Sequence, residues 1–480
     1  MMRCDTLEGS RADTAGIDHD AISPVRRRLA LWLVAGGMFM AVLDATIVNV
    51  ALPSMRVDLD ATVSGLAWIV DAYTLSMAAL ILAGGILADR WGAKRVYLLG
   101  LALFAAASTI CGGAATVAWL VAARFVQGAG AALFLPASLA IVRGVFHDRE
   151  ERAKAIATWA GIASVAAAIG PVAGGVLVGG FGWRSVFFVN LPIGLLAFAL
   201  TAWIVPDRSV QSARTFDWAG QIASIIMLGA LCFAAIEFPE RGIVSPAVWL
   251  AGAIAAGAAM AWFLIERRVR DPMVPLIWFR NPVFVAANLV GCLVYVGYFG
   301  MLFVLSLYLH GGYGLDARQT GLALLPVAAS LFVGNVIAGR LQGHMSPHAL
   351  IASSLILAAL SVPLAAELLA AHAAWLAIVA TLAVFGAGTS ASVPPMISVV
   401  LEQVPETASG VASGLLNAMR QIGSLLGVAA AGAAVALTPN WSSALWSVTI
   451  LAAAVYVLAA ALAIVWIGQR SVQAKTSTKV

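Results

Sequence analysis

The chain has 480 residues, 62% of them apolar and only 11% charged, with a formal net charge of +5. So apolar a composition excludes a soluble globular protein and a disordered chain, and leaves a polytopic membrane protein. The basic excess is no footprint of nucleic acid, because it gathers on one side of the predicted spans.

Residues 1–28 are polar and charged with no apolar core of their own, so they read as a disordered cytoplasmic tail rather than a cleaved signal. Fourteen apolar spans follow, beginning near Leu29, Gly65, Val96, Val117, Ala153, Arg184, Asp217, Pro246, Val283, Gln319, His348, Trp375, Ala408 and Ala444. Only a helix satisfies its own backbone in lipid without closing into a barrel, so the expected class is an all-α polytopic membrane protein. Arg56, Arg184, Arg241 and Arg318 fall in loops of one side, and Arg124 and Arg420 lie inside spans. The remaining basic residues share the other side with both termini, which the positive-inside rule makes cytoplasmic. Cys4, Cys111, Cys232 and Cys292 show neither disulfide nor metal spacing and are expected to pack as small apolar residues.

The chain repeats itself at an offset of about 255 residues. Residues 85–92, GILADRWG, return as 339–346, GRLQGHMS, and 128–136, GAGAALFLP, return as 386–394, GAGTSASVP. Gly161, Gly170 and Gly174 return as Gly414, Gly423 and Gly427. The first six and last six spans are therefore expected to form equivalent bundles, with two extra helices between them. The expected organisation is a tail at 1–28, a six-helix bundle at 29–205, and a linker with two added helices at 206–282. A second six-helix bundle at 283–467 and a cytoplasmic tail at 468–480 complete it. The repeat keeps glycines and loses charges: Asp89 becomes Gly343, Arg124 becomes Leu382 and Pro171 becomes Ser424.

Three places carry chemistry. The turn at 85–95, GILADRWGAKR, joins Gly85, Asp89, Gly92 and the basic residues Arg90, Lys94 and Arg95; its aspartate suits the N-terminus of another helix. On the fifth span, Gly170, Pro171, Gly174 and Gly175 remove a backbone donor and leave a groove for a close neighbour. Asp44, Asp71, Arg124 and Arg420 are the ionisable groups deep in spans, each costing about 2.5–3.5 kcal/mol on insertion scales. At about 1.5 Å per residue the first three lie about 22–27 Å from the cytoplasmic ends of their helices, and Arg420 about 18 Å. Desolvation favours a neutral carboxyl and a nearby arginine an ionised one, the balance that proton exchange requires. Asp44 is the expected coupling carboxylate, Asp71 a second carrier or a substrate contact, and Arg124 the group setting their affinity. A static Asp44–Arg124 pair, and an Asp71 at the wet outer interface, are the structural alternatives. Arg420 either contacts Asp71 or attracts anionic groups on cargo. Asn49 and Gln127 are expected to bond across helices, and Tyr295 and Tyr298 either to stack on cargo or to face lipid.

The turn at 85–95 resembles the signature of the major facilitator superfamily, and 120–132, LVAARFVQGAGAA, resembles its fourth-helix motif. The run GPVAGG is similar to its antiporter motif, while LDATIVNVALP, WIVDAYTL, WRSVFFVNLPIG, GLALLP and SGLLNAMRQIG resemble the fourteen-helix drug:proton antiporter branch. These matches cover nearly the whole chain. The resemblance implies a major facilitator fold, a cytoplasmic gate latched by Asp89 on the thirteenth helix near residues 407–410, and a charge relay through Arg90, Lys94 and Arg95. It implies further that Arg124 tunes proton affinity and that the bend at Pro171 favours export. Ala93 stands where the family often has arginine, and spans ten and thirteen lack the acidic residues of some relatives.

The expected function is secondary active export of amphipathic, neutral or singly cationic small molecules by alternating access, driven by the proton gradient and using no cofactor. A dedicated exporter of one antibiotic or secondary metabolite is the alternative, and an uptake symporter the weaker one. Phosphate-loop, catalytic and metal spacings are missing from the sequence, which argues against an enzyme. The expected setting is the cell membrane, with protons, small molecules and lipid as partners, and a monomeric chain.

Overall fold

The computed structural model describes residues 24–146, 148–205, 216–242, 244–269, 272–405 and 408–468. Most of the two expected tails and the first part of the linker lie outside them. The described residues form helices that chain into fourteen spans long and apolar enough to cross a membrane. The first bundle comprises α1 (Pro24–Asp58), α2 (Val63–Trp91), α3 (Ala93–Gly112), α4 (Val117–Val145) and α5 (Arg149–Phe181), then the short α6 (Ser185–Phe188) leading into α7 (Asn190–Ile204). Two added helices, α8 (Trp218–Arg241) and α9 (Pro246–Glu266), precede the second bundle. That bundle contains α10 (Pro282–Gly311), α11 (Ala317–Leu341), α12 (Pro347–Ala370), α13 (Trp375–Ala391), α14 (Val393–Glu402), α15 (Ser409–Leu437) and α16 (Trp441–Leu462).

Two spans that read as single helices are interrupted, the sixth at Val189 and the twelfth at Ser392. Prolines explain both breaks. Pro192, and Pro394 with Pro395, supply no backbone N–H to the carbonyls four residues earlier. By contrast α5 runs as one assigned helix through Pro171. Large apolar side chains cover the outside of the barrel of helices: Leu195, Leu196, Leu360 and Leu364 are all more than half exposed. Such a surface is stable only against lipid, and the chain is a multi-pass membrane protein.

The internal repeat reappears in the packing. Gly128 of α4 lies against the carbonyl of Tyr73 on α2, and Gly386 of α13 lies likewise against that of Val327 on α11. Gly130 fits between Gly100 and Phe104 of α3, as Gly388 fits between Ser354 and Ala358 of α12. Gly170 and Gly174 of α5 meet α1, while Gly423 and Gly427 of α15 meet α10. Each glycine lets two backbones approach where a methyl group would collide. The architecture is therefore two six-span bundles related by duplication.

The added pair lies outside this duplication. α8 packs on α2 and α15, and thus across a seam between the two bundles. Gln221 Nε2 donates to the Ala79 carbonyl at 2.7 Å, Ser64 Oγ to the Ile236 carbonyl at 3.1 Å, and Trp68 Nε1 to Glu237 at 2.9 Å.

The turn between α2 and α3 depends on Gly92, whose φ of 93° lies where a side chain is strained. Gly92→Ala is expected to destabilise the folded protein by about 1–3 kcal/mol, read as a lower melting midpoint of the detergent-solubilised chain; an unchanged midpoint would contradict the account. Next to it, Lys94 Nζ donates to the Ala202 carbonyl at 2.8 Å. A cation at the C-terminal turn of α7 offsets that helix's dipole, so part of the basic cluster serves packing.

Candidate functional site

Between the bundles lies a cavity of about 700 Å³. Its lining begins at the exposed residues Asp89 and Arg143, on the face that carries the basic turn, and continues past Trp159, Asn335 and Tyr295 to Thr46, Tyr73 and Arg124. It does not reach the opposite face. There α5 and α11 close on each other, with Gly321 against the Pro171 carbonyl and Gly175 against the Ala317 and Arg318 backbone. Ser306 Oγ also donates to the Asn49 carbonyl at 2.6 Å, tying α10 to α1. The protein is thus open toward its basic face and shut at the other.

At the inner end of the cavity, α1, α4, α7 and α3 bring one polar cluster together. Arg124 Nη1 donates to Asp44 Oδ2, while Gln127 Nε2 and Asn190 Nδ2 donate to Oδ1 at 2.8 and 2.9 Å. Arg124 Nε also donates to the Ile69 carbonyl at 3.0 Å, Nη1 to Gln127 Oε1 at 2.8 Å, and the guanidinium lies 4.5 Å from the Tyr73 ring. Ser108 Oγ receives bonds from Gln127 and Asn190 and donates to the Phe187 carbonyl. Asp44, Arg124, Gln127, Asn190 and Ser108 are all essentially inaccessible. Such a pair is tolerated because both carboxylate oxygens and the arginine's Nε and Nη1 are hydrogen-bonded; removing one partner strands the other charge. Arg124 lines the cavity and Asp44 does not, so the arginine stands between the carboxylate and the aqueous space.

The other sequence-derived candidates divide. Tyr295, Tyr298 and Arg420 line the cavity, so the aromatic face of α10 looks inward rather than onto lipid. Gln127 belongs to the Asp44 cluster. Asn49 bonds within α1, through Nδ2 to the Ala45 carbonyl at 3.0 Å, and is absent from the lining. Asp71 corrects the expectation most. Val70, Tyr73, Thr74 and Met77 form the cavity stripe of α2 at helical spacing, which turns Asp71 toward α8, close enough to Cys232 to interact with it electrostatically. Both Asp71 carboxyl oxygens are buried and lack a hydrogen-bond partner among the described residues. It does not meet Arg420. That arginine bonds to the Tyr295 hydroxyl instead and lies 4.4 Å from the Tyr295 ring.

At the mouth, Asp89 interacts electrostatically with Arg143 of α4, and Arg143 Nη1 comes within 3.5 Å of where a Gly410 side chain would begin. Arg143 is therefore interposed between Asp89 and the start of α15; residues 406 and 407, part of the expected cap, lie outside the described residues. Arg90 and Arg95 are exposed on the same face, and Gly85 lines the mouth. Sequence reasoning missed Asn190, Ser108, Tyr73 and Arg143. An amide in an apolar run was the available signal for Asn190. Nothing in the sequence singled out Ser108 among the other hydroxyls. Among the described residues no three His, Cys, Asp or Glu side chains gather as metal ligands would.

Duplicated bundles around a cavity open at one face define a membrane transporter. The family model of the Major Facilitator Superfamily matches residues 34–428 and 288–480, and the chain belongs to that superfamily of transporters. It is 35% identical to the methylenomycin A resistance protein of Bacillus subtilis (strain 168), over 91% of this chain and 93% of that one. It is 37% identical to the multidrug resistance protein Stp of Mycobacterium tuberculosis (strain CDC 1551 / Oshkosh), over 87% and 77%. The crystal structure of a D-xylose-proton symporter superposes with a TM-score of 0.65, at 13% identity, over 91% of this chain and 97% of that one. At that identity the likeness speaks for the fold alone.

Proposed function

We propose that this transporter exports amphipathic small molecules across the cell membrane in exchange for protons, by alternating access, as a monomer with both termini cytoplasmic. The moving parts are the bundles at 29–205 and 283–467. One observation carries the reading: the Asp44 carboxylate is fully bonded, and the cation that neutralises it lines the cavity. The likeness to drug- and antibiotic-resistance proteins supports the direction of transport.

In this reading the conformation with the cavity open at the basic face is the inward-open member of the cycle, and Asp44 is paired with Arg124 there. Cargo enters from the cytoplasmic mouth past Asp89 and Arg143. Rocking of the bundles parts α5 from α11 and exposes the site to the outside. A proton then neutralises Asp44 and frees Arg124 from its counter-ion, and cargo leaves through the outward opening. Return to the inward-open state releases the proton as the pair re-forms. Asp71, turned toward α8, is proposed to act on this cycle through the α2–α8 seam rather than by contacting cargo.

A second reading, a dedicated exporter of one antibiotic, is favoured by the 35% identity to a methylenomycin A resistance protein along nearly the full length of both chains. Susceptibility profiling of a drug-sensitive host separates the two readings and tests the first. Expression is expected to raise tolerance of several amphipathic compounds, and a protonophore to cancel the gain. Tolerance unaffected by the protonophore would overturn proton coupling; tolerance of one compound class would select the dedicated exporter.

A further inference from the structure

We infer that Arg420 is the cargo-binding cation of the cavity, and that the preferred cargo is a flat, apolar molecule bearing one carboxylate. The inference rests on the export reading only in placing cargo in this cavity. It changes the charge expected of that cargo. The expectation of neutral or cationic compounds came from two deep carboxylates, yet Asp44 is held by Arg124 and Asp71 is turned away from the cavity.

Among the described residues, the charged groups lining the cavity are Asp89, Arg124, Arg143 and Arg420. Arg124 is neutralised by Asp44, and Arg143 has Asp89 beside it at the mouth. Arg420 has no acidic partner among the described residues. One of its donors reaches the Tyr295 hydroxyl, and its buried Nε–H has no acceptor there. Arginine keeps its charge at any physiological pH and presents donors in a planar fork that matches a carboxylate. An unpaired cation with free donors, held inside a cavity of low polarity, attracts an oxyanion strongly.

The side chain is also pre-positioned. Its stem packs 3.5 Å from where a side chain on Gly291 of α10 would begin, and its guanidinium lies over the Tyr295 ring. Close by, Tyr295 and Phe299 have centroids 5.5 Å apart, and Tyr298 meets Phe299 edge-on at 5.1 Å. These rings form an apolar shelf against which a flat body can stack while its carboxylate meets the arginine. Asn417 and Gln421 flank Arg420 in the lining as neutral polar groups, so they add no competing anion.

The test uses the purified full-length chain in detergent and three probes of one shape: 2-naphthoate, 2-naphthamide and 2-naphthylmethylammonium, titrated calorimetrically. Wild type is expected to bind the acid about ten- to a hundredfold more tightly than the other two, the size of one or two charge-assisted hydrogen bonds. Arg420→Gln is expected to erase that preference, leaving the acid bound within about twofold of the amide. Raised salt should weaken binding of the acid selectively. The proposal falls if the ammonium binds as tightly as the acid, if Arg420→Gln weakens all three equally, or if no probe binds below millimolar concentration. Should Arg420→Gln not fold, the wild-type ranking decides alone. Binding is read without any gradient, so failure of proton-driven export would leave this inference standing. Export restricted to cationic probes would remove it and leave the export reading intact.

Discussion

Replacing Asp44 with asparagine is expected to abolish accumulation of cargo driven by a pH gradient while leaving gradient-free exchange of cargo measurable. Asparagine keeps the shape and an acceptor for Arg124 Nη1, but it cannot take up or release a proton. It also strands Arg124, whose side chain is 1% exposed. Breaking one side of such a buried pair costs about 3–5 kcal/mol, so the single variant should be less stable in detergent than wild type. The double variant Asp44→Asn with Arg124→Gln removes both charges and should recover most of that loss without recovering coupling. Everted vesicles and a thermal-stability assay read the two effects separately. Gradient-driven accumulation by Asp44→Asn at the wild-type rate would make the pair a structural clamp and nothing more.

The second large effect is expected at the closed face. Gly321→Val puts a branched side chain where even a methyl group would overlap the Pro171 carbonyl and come within 3.0 Å of Gly175 Cα. Backbone on both sides leaves nothing to rotate away. The wedge should hold α5 and α11 apart, bias the transporter away from the inward-open state, and slow export by about tenfold or more, since a bias of 1.4 kcal/mol already shifts populations tenfold. Spin labels at Phe181 and Leu322, both more than half exposed, should report a longer distance across the seam. Two controls locate the effect. Gly229→Val, with nothing within 4 Å, should behave as wild type, whereas Gly128→Val strikes the Tyr73 carbonyl inside one bundle and should reduce the yield of folded protein. Unchanged label distances with normal export would refute the wedge.

Both predictions draw on residues visible in the sequence, and the reasons differ. Asp44 and Arg124 stood out because a charge deep in lipid needs a partner, and helix rise put both at similar depth. Gly170, Gly174 and their copies at Gly423 and Gly427 stood out because close helix packing needs small residues at fixed spacing. What the sequence could not supply was direction around each helix where every face is apolar. Asp71 is buried inside a span, but α8 claims that side of α2, and no property of the added spans announced where they dock. Asn190 escaped notice because its significance comes from Asp44, 146 residues away. The pairing of Arg420 with Tyr295 was hidden similarly, since only the fold of the second bundle sets α10 beside α15.

The docking of α8 has a mechanical consequence. Hydrogen bonds from Gln221, Ser64 and Trp68 fasten it to α2, whereas among the described residues none joins it to α15, against which it also packs. One contact is riveted and the other is a smooth bearing. Under the proposed rocking cycle, a pair of spans grafted in this fashion would ride with one half and glide over its partner, so the chain can lengthen in its middle without adding a joint to the machine.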